Sequence, residues 1–207
     1  TPVTAIISGR SREDLEKRVG VPSLVYAGCH GFDIAGPQGP IVERQEGRGF
    51  DAAVGRAAAA LRGELDGLPG MIIEDKTYCL AVHYRHVPLN LVDPLRRAVD
   101  ATAASFPELR KIYGKKVIEL RPDIPWDKGR AVLWILEALG LAGDDVLPVY
   151  FGDDVTDADA FRALAGIGIG ILVSRTPQPT TATYRLRSTS EVETLLERLI
   201  AALGSPS

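Results

Sequence analysis

The sequence predicts an α/β fold in which a parallel sheet with flanking helices is interrupted by a second, α+β unit. Three observations predict it. An apolar run, Val3 to Ile7, passes through a Ser-Gly turn into a helix start; strand-helix alternation returns from Asp127 to the end of the chain; and between them the order changes to paired strand-like runs around one long helix.

Taken in order, Val3 to Ile7 reads as a buried strand and Ser8-Gly9-Arg10 as a turn. Ser11 and Asp14 stand at capping-box-like spacing before apolar Leu15 and Val19. Leu24 to Ala27 is a second strand, and the Gly/Pro-rich stretch from Gly28 to Pro40 a turn or hairpin. Phe50 to Leu65 is Ala-rich and helical, and Gly67 to Gly70 breaks it. Met71 to Lys76 and Tyr78 to Arg85 are strand-like, Leu91 to Ala104 is helical, and Leu109 to Tyr113 and Lys116 to Leu120 are two more strands. From Asp127 a helix carries apolar Val132, Leu136 and Leu139. The strand Leu147 to Phe151, the helix Thr156 to Leu164, the strands Ile169 to Val173 and Thr183 to Leu186, and the helix Glu191 to Leu203 follow. The simplest assembly joins both ends of the chain in one parallel sheet. Residues 1–48 and 122–207 then form the core and 49–121 an inserted domain.

Composition narrows the function. The 207 residues are 45% hydrophobic and 25% charged, enough to bury a sizeable core. Their 24 basic and 27 acidic side chains leave a charge of −3, without the basic excess that nucleic acid or an anionic membrane surface requires, so neither is an expected partner. No apolar run approaches the ~18 residues of a membrane span; the longest candidate, Ile167 to Val173, is interrupted by Gly168 and Gly170. Cys29 and Cys79 alone form neither a disulfide framework nor a zinc site, which makes a reducing cytoplasm the expected compartment.

Three short segments carry charge where charge is costly. In Val149-Tyr150-Phe151-Gly152-Asp153-Asp154-Val155-Thr156-Asp157, an apolar strand ends in glycine and then three carboxylates within five residues. The loop after a parallel strand is where ligands bind, and hard cations such as Mg²⁺ are held there by one or two carboxylates and phosphate oxygens. The same segment also fits an acidic loop that merely caps the next helix through Thr156 and Asp157. In Trp126-Asp127-Lys128-Gly129, Asp127 is the expected N-cap and Lys128 stands in the first helical turn, where a cation forgoes ~0.3–1 kcal/mol unless an anion sits nearby; a solvated surface lysine is the plainer reading. In Ile6-Ile7-Ser8-Gly9-Arg10 a hydroxyl and two backbone amides follow a buried strand, a turn suited to phosphate but also ordinary turn chemistry.

The middle block has a different pattern. Strand alternation puts Glu74 and Lys76 on one face, sets Ala81, His83 and Arg85 opposite to Leu80, Val82 and Tyr84, and gives Lys115 and Glu119 a common face. Such a charged face is either solvated or grips a hydroxyl-rich ligand with paired donors and acceptors. His30 and His83 lack partners at metal-ligand spacing.

The segments ISGR (7–10), YAGCHG (26–31), EDKTYCLAVHYR (74–85), GKKVIELRP (114–122), WDKG (126–129) and GDDVTDADAF (152–161) together resemble the trehalose-6-phosphate phosphatases of the haloacid dehalogenase superfamily, over essentially the whole chain. The resemblance implies a Rossmann-like haloacid dehalogenase core, its first strand missing here, with an α+β cap inserted between the second and third motifs. It implies a phosphoric monoester hydrolase of trehalose biosynthesis, splitting trehalose 6-phosphate to trehalose and phosphate through Mg²⁺-assisted aspartyl-phosphate chemistry. By that resemblance Ser8 hydrogen-bonds the transferring phosphoryl group, Lys128 neutralises it, and Asp153 with Asp157, Asp154 beside them, forms the Mg²⁺ motif, so that the three segments make one site. Glu74, Lys76, Arg85, Lys115 and Glu119 match the cap positions that contact sugar hydroxyls, and Arg10 and His30 join the substrate-binding set.

The chain departs from the pattern in one large respect. It contains no DxDxT motif, which carries the nucleophilic aspartate and the aspartate acting as general acid and base. The chain opens on what looks like the strand leading into the second motif, so the expectation is that a segment before Thr1 is absent and that the polypeptide as given is inactive. Cys29 in the GxHG segment and Ala158 in the acidic motif are smaller departures. Two other readings stay beside this one: another sugar phosphatase, for sucrose phosphate or a mannosyl phosphoglycerate, and a catalytically dead domain serving a fused or partner trehalose-phosphate synthase.

Overall fold

In the computed structural model the described residues are 2–37 and 43–204, the side chains of 43–45 excepted. The chain divides into two compact units, Thr1–Trp126 and Asp127–Ser207.

The first unit begins with β1 (Ala5–Ile7), α1 (Arg12–Val19), β2 (Val25–Gly28), β3 (Asp33–Ala35) and β4 (Glu43–Gln45). The Ser11 side chain accepts from the Asp14 amide at 3.3 Å, as the spacing predicts, and Gly20 ends α1 in the left-handed conformation. Strands β1 and β2 pair in parallel, whereas β3 and β4 add antiparallel neighbours in the order β1-β2-β3-β4. The Gly/Pro-rich stretch therefore holds a strand, β3, before residues 38–40, which lie outside the described residues.

The unit continues with α2 (Asp51–Glu64), β5 (Ile72–Asp75), β6 (Leu80–His83), α3 (Leu89–Ser105), β7 (Leu109–Gly114) and β8 (Val117–Pro122). The four strands form an antiparallel sheet in the order β5-β6-β8-β7. Residues at alternate positions, Leu80, Val82, Ile118 and Leu120, pack with Ala57 and Leu61 of α2 and Leu95 and Val99 of α3 into one apolar core. The period of two therefore assigns Glu74, Ala81, His83, Glu119 and Arg121 to the other face. Register sets Glu74 opposite Ala81 and Ala81 opposite Glu119.

The second unit holds α4 (Lys128–Ala138), β9 (Val149–Gly152), α5 (Asp157–Ala163), β10 (Ile169–Val173), β11 (Tyr184–Leu186) and α6 (Thr189–Gly204). Strands β9, β10 and β11 are parallel neighbours in that order, the pairing that βα alternation predicts. Helices α4 and α5 lie in contact because Gly129 has no side chain: a Cβ there would stand 2.5 Å from the Asp159 carbonyl oxygen.

Strands β1 and β9 are each at an edge, with one hydrogen-bonded neighbour. Periodicity identifies strands, but hydrogen bonding between chain segments decides their partners. No helix of the described residues is long and apolar enough to cross a membrane.

Candidate functional site

In the second unit the acidic segment is organised around Asp157. Its Oδ1 accepts from Lys128 Nζ at 2.6 Å and from the Tyr150 hydroxyl at 2.7 Å. Its Oδ2 accepts from the amides of Asp153 at 3.0 Å and Asp154 at 2.9 Å. Burial alone would raise the Asp157 carboxyl; the charge and hydrogen bond of Lys128, with the Asp154 amide and the Tyr150 hydroxyl, override it and hold the group below the usual carboxylate range. Burial and the adjoining Asp157 carboxylate push the Tyr150 phenol up, so it stays protonated and donates.

Helix α4 begins as predicted, with the Asp127 side chain accepting from the Arg130 amide at 2.9 Å. Lys128, in the first turn, is buried, and its anion is Asp157. The capping alternative for the acidic loop does not describe the geometry. Thr156 makes no side-chain cap bond, and its Oγ1 is buried without a partner among the described residues, while Asp157 turns back to the amides preceding its own helix.

The carboxylates of Asp153 and Asp154 are exposed at the end of β9, and Asp154 Oδ1 accepts from the Val155 amide at 2.7 Å. Bound by Lys128 of α4, Tyr150 of β9 and two amides of the loop itself, Asp157 fixes the backbone from which the Asp153 and Asp154 carboxylates stand exposed. Hard oxygen donors of this kind fit Mg²⁺, which takes one or two carboxylates and completes its shell with water and phosphate. Among the described residues no group of three or more His, Cys, Asp or Glu is arranged as a closed metal cage.

In the first unit, Ser8 follows β1 and its Oγ accepts from the Arg10 amide at 3.3 Å. The Arg10 guanidinium pairs with Asp14 on the surface, 2.9 Å away. Gly9 packs against the imidazole of His30: a Cβ on Gly9 would stand 2.6 Å from His30 Nε2. The Gly9 carbonyl accepts from Lys76 Nζ at 2.9 Å, so the turn after β1 touches the polar face of the antiparallel sheet.

From there a chain of alternating charge runs across that face. Lys76 Nζ lies 3.5 Å from Glu74 Oε2 and 3.7 Å from Glu119 Oε1; Glu74 Oε2 meets His83 Nε2 at 3.0 Å; and Glu119 Oε2 meets Arg121 and, at 3.3 Å, His30 Nε2. Lys76, Glu119, Arg121 and His30 are buried, whereas Glu74 and His83 are half-exposed. Burial would raise the Glu119 carboxyl, but the His30 hydrogen bond and the Arg121 charge hold it well below the usual range. Trp126 closes one side, its Nε1 donating to the Gly31 carbonyl at 2.7 Å.

The structure thus brings together four of the expected substrate-binding residues, His30, Glu74, Lys76 and Glu119. Arg85 and Lys115 stand apart from them: both are exposed at the end of β6 and the β7–β8 turn, where Arg85 donates to the Lys115 carbonyl at 3.5 Å. Arg121 and His83 were not among the expected residues. Arg121 was legible, standing two positions after Glu119 in a strand; His83 was legible from its face but not from its partner. Cys29 is a buried free thiol that donates to the Lys76 carbonyl at 3.3 Å, and the hydrogen bond with Cys79 and burial push it up.

The trehalose-phosphatase family model matches residues 1–190. The chain is 41% identical over 208 residues to "Probable trehalose-phosphate phosphatase D" and to "Trehalose-phosphate phosphatase B", both of Arabidopsis thaliana, covering 95% of this chain and 56% of each relative. It therefore spans little more than half the length of these relatives. Among solved structures, a "trehalose-6-phosphate phosphatase related protein" superimposes with a TM-score of 0.81 at 25% identity, over 97% of this chain and 81% of that one. By the extent of these matches and the α/β architecture that accompanies them, the chain belongs to the trehalose-phosphatase family.

Proposed function

We propose that the protein is a trehalose-6-phosphate phosphatase that hydrolyses trehalose 6-phosphate to trehalose and phosphate. The observation that carries this reading is the gathering of Glu74, Lys76 and Glu119 at one face of the antiparallel sheet, with His30 meeting them from the loop after β2. Alternating anions and cations offer acceptors and donors at short intervals, which is what a polyhydroxylated sugar needs in order to replace its water. Family membership supplies the phosphate-ester half of the reading.

Residues 49–121 act as the inserted cap in this proposal and residues 1–48 and 122–207 as the core. In recognition, Glu74 and Glu119 accept from sugar hydroxyls and Lys76 donates to them, with His30 fixing Glu119; Arg85 and Lys115 extend the contact along the sheet. Ser8 donates its hydroxyl to a phosphoryl oxygen, its Oγ accepting from the Arg10 amide in return. Lys128 offers a fixed positive charge to the phosphoryl group, its position set by Asp157. Asp153 and Asp154, with Asp157 behind them, would hold Mg²⁺, which when bound would supply further neutralisation of phosphoryl charge. The nucleophilic aspartate is not among the 207 residues, so these groups alone recognise and neutralise but do not open the ester. The isolated chain is accordingly expected not to turn over. A cytoplasmic setting, supported by the free thiols of Cys29 and Cys79, and service to a trehalose-phosphate synthase belong to the same proposal.

The test is phosphate release by the full-length protein, with Mg²⁺, from trehalose 6-phosphate, sucrose 6-phosphate and glucose 6-phosphate. Preference for trehalose 6-phosphate by a factor of about 100 or more in kcat/KM is expected. Equal rates on all three would overturn the assignment of the sheet face to trehalose.

A further inference from the structure

Arg121 lies in β8 two residues after Glu119, on the same face of the strand, and its guanidinium is buried. Two of its nitrogens reach one oxygen of Glu119: Nε donates to Oε2 at 2.9 Å and Nη2 makes a second, shorter bond to the same atom. Nη2 also meets Nε2 of His30, on the loop that follows β2. The two carboxylate oxygens therefore have separate duties. Oε2 is taken by Arg121 and His30, while Oε1 is left facing Lys76 Nζ across 3.7 Å.

That gap is longer than a hydrogen bond, so Oε1 keeps acceptor capacity in the direction of Lys76. A hydroxyl placed there accepts from the ammonium and donates to the carboxylate. Without Arg121, Oε2 of this buried carboxylate would keep only the 3.3 Å contact with His30 Nε2, and the carboxylate would lose the two-nitrogen grip that fixes which oxygen faces Lys76.

We propose that Arg121 is a positioning residue for sugar recognition: by holding Oε2 of Glu119 it presents Oε1, together with Lys76, to one hydroxyl of the substrate. The inference rests on the phosphatase reading above and adds to it a residue that acts through Glu119 without touching the substrate.

The experiment uses the full-length protein with Mg²⁺ and the variants Arg121→Gln, Arg121→Lys, Glu119→Gln and Arg121→Gln/Glu119→Gln. Each is assayed on trehalose 6-phosphate and on p-nitrophenyl phosphate, a phosphate monoester without a sugar. Arg121→Gln is expected to raise KM for trehalose 6-phosphate by about tenfold, the equivalent of one lost charge-assisted hydrogen bond, and to lower kcat/KM on that substrate far more than on p-nitrophenyl phosphate. Arg121→Lys, which keeps charge but not the two-nitrogen grip, should recover part of the loss. The double variant should be no worse than Glu119→Gln alone, because both changes remove the same contact.

Additive losses in the double variant, equal losses on both substrates, or Arg121 variants that cannot be recovered folded would assign Arg121 to structure alone and overturn the proposal. A wild type that hydrolyses p-nitrophenyl phosphate and no trehalose 6-phosphate overturns the phosphatase reading first and this inference with it. A selective wild type with unselective Arg121 variants overturns the inference only.

Discussion

Lys128 Nζ stands 2.6 Å from Asp157 Oδ1, with the two side chains only 8% and 5% exposed. A pair so placed is costly to break from one side, since the survivor is a buried charge without its partner. Asp157→Asn is therefore expected to destabilise the protein by about 3–5 kcal/mol. Lys128→Met combined with Asp157→Asn should cost less than the sum of the two single changes. Urea unfolding followed by tryptophan fluorescence measures both; additive losses would show that the pair contributes nothing as a pair.

Acid should weaken the fold through the same group and through Glu119. Both carboxyls are held below their ordinary range in the folded protein, so each binds its proton more readily when unfolded. The stability they contribute is present above the ordinary carboxylate range and is lost as pH falls through their lowered folded values. Unfolding midpoints should vary little on account of these groups between about pH 6 and 5 and decline below about pH 4. Asp157→Asn should flatten that decline, and an equally steep acid limb in the variant would remove Asp157 as its source.

Gly9→Ala and Gly129→Ala test close approach. The added Cβ would stand 2.6 Å from the buried His30 ring in the first case and 2.5 Å from the Asp159 carbonyl in the second. Each should lower stability by about 1–3 kcal/mol, the usual cost of overpacking. Only Gly9→Ala should also weaken sugar-phosphate binding, because it pushes on the imidazole that meets Glu119. A KM rise from Gly129→Ala as large as that from Gly9→Ala would contradict this division.

Trp126→Phe keeps most of the apolar surface and removes the indole donor from the Gly31 carbonyl. A buried acceptor left without its partner costs about 1–3 kcal/mol. Thermal unfolding of the variant checks it, and a change within error would mean that water replaces the indole.

Much of the site's raw material was legible because the signals are local. Alternation in β5, β6 and β8 separates Leu80, Val82 and Leu120 from Glu74, Ala81 and Glu119 whatever the strands later pair with. The four-residue spacing of Asp153 and Asp157 lets one carboxylate turn back to the amides of its own loop. What stayed hidden was choice of partner. Arg85 stands past the end of β6 at His83, and its guanidinium meets the Lys115 carbonyl, a partner that no local signal names.

The sequence by itself determined the order and type of the elements other than β3 and β4, the apolar and charged faces of the middle strands, and the Asp127 cap that places Lys128 in the first turn of α4. These follow from φ/ψ preference and side-chain period, which act over a few residues. Only the tertiary structure decided that Lys76 reaches Gly9, 67 positions away, that Arg121 reaches His30 across 91, and that Lys128 reaches Asp157 across 29. The physical reason is that a buried charge takes whichever partner sheet register and loop packing bring within reach, and no local preference encodes that distance.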